Sequence, residues 1–97
     1  MGWLVYVLVS RRAERTYVGI AIDVERRLGQ HNGTQPGGAK ATRAFRPWTL
    51  GVVHGPFESR GEAQRFERRV KKLRGSRRLD PRLDADASDP AARSGST

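Results

Sequence analysis

Five side chains in this sequence have the types and spacing to do acid–base and electrostatic chemistry: Tyr6, Tyr17, Arg27, His31 and Glu67. Arg27 and His31 are four apart, so a helix places them on one face. Arg27 is either one surface arginine among many or a guanidinium that holds a phosphate bidentately. His31 is either a helix-end histidine capping carbonyls or a group that handles a proton. Glu67 lies four residues after Ala63 and three before Val70, among Arg65, Arg68, Arg69, Lys71 and Lys72. It is either an ion-pair partner, worth little on a surface, or a hard oxygen ligand for a divalent cation. Tyr6 and Tyr17 fall on two extended segments joined by a short turn. A turn centred near residues 11–13 brings the two rings near-opposite on one face, as core residues with a wet hydroxyl or as part of a site.

Phosphodiester hydrolysis needs a group that activates water and a cation that stabilises the charge developing on phosphate, held close together. Phenols, a histidine, an arginine and an isolated carboxylate can supply such a set. Several other chemistries are excluded. The chain has no cysteine, which excludes disulfides and thiolate metal sites. It has no Walker loop and only two serines before residue 60, in no nucleophilic triad arrangement.

The elements that must position these residues follow from the apolar pattern. Trp3–Val9 is apolar and β-branched or aromatic throughout, which marks a central strand. It is too short to span a bilayer, and it lacks the flanks of a signal peptide. Arg15–Ile20 pairs with it as a hairpin. Asp23 caps a helix over 24–31, weakened by Gly29 and ended by Asn32-Gly33. Residues 33–44 form a Gly- and Lys-containing loop, long enough to be functional. Trp48–His54 is the third strand. Ser59 and Glu62 form a capping box for a helix with Ala63, Phe66, Val70 and Leu73 on one face, stopped by Gly75. The predicted fold is α/β (more strictly α+β): a three-stranded antiparallel sheet flanked by helices in the order β-β-α-β-α. The 97 residues divide into one domain over 1–79 and an acidic, disordered tail over 80–97.

Charge points to the partner. Residues 1–79 carry 17 basic and 6 acidic side chains, and the stretch 60–78 alone carries 9 against 2. Such a surface attracts polyanions through phosphate contacts and counterion release. The basic helix lacks the broad apolar face that a membrane surface demands. Nucleic acid is the expected partner, and the cytoplasm, at the nucleoid, the expected location.

Residues 3–75 resemble the GIY-YIG nuclease family. Val5-Tyr6-Val7 stands at the first motif and Tyr17-Val18-Gly19 at the second, eleven residues on. Asp23-Val-Glu-Arg-Arg-Leu-Gly-Gln-His-Asn32 is similar to the family's following helix, with the catalytic arginine at Arg27 and the histidine at His31. Glu62–Lys72 is similar to the helix bearing the metal-binding glutamate, here Glu67. His31-Asn-Gly, Gly37-Gly-Ala-Lys-Ala-Thr42 and Arg46-Pro-Trp48 resemble the Slx-type structure-specific nucleases and small bacterial stand-alone members. The cysteine-rich zinc module of the eukaryotic Slx proteins has no counterpart. Nor does the asparagine that many members carry after the glutamate-bearing helix.

The resemblance implies a metal-dependent DNA endonuclease acting on single-stranded or branched DNA in repair or recombination. It implies one Mg²⁺ or Mn²⁺ on Glu67, Tyr6 or Tyr17 as general base with its phenolate stabilised by a nearby cation, Arg27 as phosphate clamp and His31 as proton relay. Gly19 is expected to permit a close approach at the site. Lys40, Thr42, Arg43 and Arg46 are expected to line the strand path, with Trp48 or Phe45 stacking a base or packing in the core. Arg68, Lys71 and Lys72 are expected to contact phosphates. The competing reading is a non-catalytic DNA- or RNA-binding module that retains the fold.

Overall fold

In a computed structural model of the chain, residues 2–38 and 40–83 are described. Strand β1 (Trp3–Ser10) runs through the middle of an antiparallel sheet, between β2 (Thr16–Ala21) and β3 (Trp48–Phe57), in the order β2-β1-β3. Its side chains alternate between two cores. Val5 and Val7 join Val18, Ala63, Phe66 and Val70 on one face. Tyr6 and Leu8 join Ala21, Val24 and Trp48 on the other. A strand covered on both faces has no polar side to show, which is why Trp3–Val9 is apolar without alternation.

Helix α3 (Arg60–Lys72) covers the first face. Ser59 caps it, its hydroxyl accepting the Glu62 N–H at 3.1 Å. The helix stops at Lys72, three residues short of Gly75, because Leu73 is already extended. Gly75, at φ 57°, instead opens a 3-10 turn over Gly75–Leu79. Arg78 satisfies the helix end from that turn, donating to the carbonyls of Leu73 and Lys71 at 2.8 Å each and to the Thr16 hydroxyl at 3.0 Å. This ties the end of α3 to the start of β2. Leu79 and Leu83 extend the apolar cover. The rest of the expected acidic tail, residues 84–97, lies outside the described residues.

Helix α1 (Val24–Asn32) lies on the second face. Asp23 accepts the Arg26 N–H at 3.0 Å, and Gly33 closes the helix at φ 84°. Its buried residues are Val24, Gln30 and His31. Two polar side chains facing a core must be hydrogen-bonded to be tolerated, and their partners lead to the site. Within the loop expected over 33–44, Lys40–Arg43 form a short additional helix, α2. Among the described residues no helix is long and apolar enough to cross a membrane.

Candidate active site

The hairpin register brings the tyrosines together. Tyr6 stands opposite Gly19, and Tyr17 opposite Leu8. The turn is thus centred between residues 12 and 13, within the expected range. The tyrosines share a face as diagonal neighbours rather than as a direct pair, with ring centroids 6.3 Å apart. At Gly19, expected to let backbone approach the site, what approaches is the Tyr6 ring. A Cβ at position 19 would lie 2.5 Å from Tyr6 Oη.

Helix α1 adds His31, which is fully buried. Its Nε2 is 2.9 Å from Tyr6 Oη and its Nδ1 is 3.1 Å from Thr42 Oγ1. Its ring centroid lies 4.4 Å from that of Tyr17. Burial, and then the charges of Arg27 and Arg46, push the His31 pKa down to about 4. The imidazole is therefore neutral near pH 7. Burial likewise raises the Tyr6 phenol. Hydrogen bonding to Arg27 opposes this, and the presence of Tyr17 and Glu67 adds to it. Burial thus outweighs the nearby cation, and the phenol rests protonated.

Arg27 sits half-buried one turn before His31, its Nη1 donating to Gln30 Oε1 at 2.6 Å. Glu67 comes from α3 and is half-buried. Its nearest charge partner is Lys71, with Nζ 3.4 Å from Oε2. Among the described residues no three His, Asp or Glu side chains cluster as a ready-made metal cage. Among the residues expected in the site, Glu67 is the one carboxylate that could hold a divalent ion.

The residues expected along the strand path divide. Lys40 and Arg43 are exposed on α2, and Arg68 and Lys72 are exposed on α3. Lys71 is exposed but paired with Glu67. Thr42 and Arg46 are corrections. Thr42 is 1% exposed, with its hydroxyl against His31. Arg46 donates through Nε to the His31 carbonyl and through Nη2 to that of Gln30 at 3.5 Å, capping the end of α1. Trp48 is core, its Nε1 donating to the Thr42 carbonyl at 2.8 Å.

Sequence reasoning missed three supports. Asn32 grips the Trp48 backbone twice: Nδ2 donates to its carbonyl at 2.9 Å, and Oδ1 accepts its N–H at 2.6 Å. Gln30 holds Arg27. Ser10 Oγ donates to the Phe45 carbonyl at 2.6 Å. Asn32 and Gln30 stood beside candidate residues in the helix, and that adjacency was the only signal; their partners lie up to 16 residues away.

Residues 2–80 match the GIY-YIG catalytic domain. The chain is 46% identical over 68 residues to a structure-specific endonuclease subunit SLX1 of Malassezia globosa, covering 70% of this chain and 15% of that protein. It is 41% identical over 91 residues to the human subunit of the same name, covering 89% of this chain and 33% of that protein. The SLX1 homolog of Cryptosporidium parvum is 40% identical over 62 residues, covering 64% and 15% respectively. The chain thus spans a third or less of the length of these curated relatives.

Proposed function

This chain belongs to the GIY-YIG family, and from that premise we propose that it is a divalent-metal-dependent endonuclease hydrolysing phosphodiester bonds in branched or single-stranded DNA, in repair or recombination. The observation that carries the reading is the buried bond between Tyr6 and His31, with Arg27 and Tyr17 beside it. A core gains nothing from ordering two titratable groups and a guanidinium on one sheet face, whereas a phosphate and an attacking water need them there.

Glu67 fits Mg²⁺ or Mn²⁺ as a single hard anionic ligand, its side chain 18% exposed and therefore reachable. Such an ion would keep most of its shell as water and phosphate oxygens. When bound, it supplies charge stabilisation at the phosphate and the leaving oxygen. Arg27 binds the scissile phosphate through its guanidinium fork. Tyr6 and His31 take the proton of the attacking water. A phosphate at Arg27 offsets one of the two charges that depress His31, so substrate binding itself raises the proton affinity of the imidazole. Lys40, Arg43, Arg68 and Lys72 hold the flanking backbone without reading sequence. The similarity to structure-specific endonuclease subunits favours branched over plain duplex DNA.

The test is a panel of end-labelled flap, splayed-arm, four-way, nicked and single-stranded DNAs, and matching RNAs, incubated with Mg²⁺, Mn²⁺ or chelator. The expected result is metal-dependent cleavage of at least one branched or single-stranded DNA. Binding without cleavage on every substrate would instead identify a non-catalytic module.

A further inference from the structure

Thr42 is among the most deeply buried polar residues, yet it sits on a four-residue helix in a long loop. Its hydroxyl lies 3.1 Å from His31 Nδ1. Its carbonyl accepts the Trp48 indole N–H at 2.8 Å. The Trp48 backbone is in turn gripped by Asn32, the residue after His31. The contacts therefore close a ring, from His31 to Thr42, Trp48, Asn32 and back to α1. The Thr42 hydroxyl is held in place from both sides.

Hydrogen-bond capacity then settles where the protons lie. Tyr6 is fully buried, and a buried hydroxyl must place its own proton; the acceptor at hand is His31 Nε2, 2.9 Å away. Nε2 must then be bare, so a neutral ring carries its one proton on Nδ1, aimed at Thr42 Oγ1. An imidazole in water prefers the opposite arrangement.

We propose that Thr42 is a positioning residue whose hydroxyl accepts the Nδ1–H of His31 and so stabilises the tautomer in which the bare Nε2 faces the Tyr6 phenol. Its consequence for catalysis rests on the endonuclease reading above. As the water oxygen bonds to phosphorus and the bond to the leaving oxygen breaks, the water proton passes to Tyr6 Oη and the phenol's own proton to His31 Nε2. The leaving oxygen takes a proton from solvent, and the imidazolium later returns one to solvent. With the other tautomer, Nε2 has no lone pair to receive the proton. The groups facing the ring are Tyr6 from β1, Tyr17 from β2, Arg27 from α1, and Arg46 and Thr42 from the segment before β3.

The experiment is ¹⁵N-detected imidazole NMR on the full chain, wild type, Thr42→Val and Thr42→Ser, beside single-turnover cleavage by the same proteins. The expected wild-type spectrum assigns the His31 proton to Nδ1. Thr42→Ser keeps that tautomer and cleaves within about threefold of wild type. Thr42→Val shifts the population toward Nε2–H and cuts cleavage by 10–100-fold at unchanged DNA affinity, in the range typical of a lost proton-transfer partner. A wild-type Nε2–H tautomer overturns the proposal whether or not Thr42→Val folds. So does wild-type cleavage by a Thr42→Val protein whose tautomer has shifted. If the spectrum is as expected but wild type cleaves nothing, the tautomer assignment stands and the endonuclease reading falls.

Discussion

The Tyr6 ring lies across the α-carbon of Gly19, its direct partner on β2, so close that a methyl group there would sit 2.5 Å from the hydroxyl and 2.7 Å from Cζ. The glycine is needed for the placement of a neighbouring phenol, since its own backbone is ordinary extended strand. Gly19→Ala should push the ring off His31 while leaving the sheet paired. A displacement of about 1 Å at a catalytic group can cost about 10²-fold in rate. Single-turnover cleavage should fall by about that factor with an unchanged far-UV spectrum; a variant cleaving within a few-fold of wild type would show that the placement of Tyr6 does not matter.

Asn32 joins the end of α1 to the start of β3 through two hydrogen bonds to one residue. Trp48 is 4% exposed, so Asn32→Ala leaves its N–H without that partner in a buried setting. The cost should be about 1–3 kcal/mol, which in a domain of this size lowers Tm by several degrees per kcal/mol. Calorimetry reads this directly, and an unaltered Tm would mean that the grip is not structural.

Acid should destabilise the fold through His31. Its pKa is about 4 in the fold and near 6.5 in the unfolded chain. Between those values the unfolded state binds more protons, so stability falls as pH drops. The contribution is fully present above about pH 6.5, is lost progressively toward pH 4, and amounts to about 3 kcal/mol at most. Denaturant unfolding at pH 7 and pH 4.5 should show the loss, and His31→Asn should show a smaller difference between the two pH values. Equal pH slopes in both proteins would contradict the depressed pKa.

Arg68 and Lys72 are exposed on α3, which packs on the sheet face opposite α1. The double variant to alanine should weaken DNA binding at 50 mM salt and flatten the dependence of log K on log salt by nearly 2, since each lost phosphate contact removes about 0.9 from the slope on duplex. Cleavage of already bound DNA should be nearly unchanged. A fluorescence-anisotropy salt titration decides, and an unchanged slope would place the DNA elsewhere.

Much of this was legible in the sequence for physical reasons. The unbroken apolar run of Trp3–Val9 has one comfortable place, the middle of a sheet covered on both faces, and that is where β1 lies. The helix around Phe66 and Val70 followed from spacing and from Ser59. What the sequence withheld are pairings set by the fold. Thr42 and Arg46 looked like members of a basic surface loop, because nothing local says that α2 turns inward and that Arg46 reaches back to the carbonyl of His31. The end of α3 was misplaced because Arg78, not Gly75, satisfies its carbonyls, and a side chain arriving from five residues on leaves no local trace. The raised phenol of Tyr6 was equally hidden, since burial depends on the cover above it.

The proposed function requires that Arg27, from α1, and Glu67, from α3, both act on the scissile phosphate. Single-turnover cleavage of a labelled branched DNA, measured beside binding affinity for Arg27→Ala and Glu67→Gln, tests it most directly. Both variants should bind within about tenfold of wild type while cleavage falls by at least about 10²-fold, the size of loss seen when one transition-state charge partner is removed. Cleavage by either variant at a near-normal rate would contradict it.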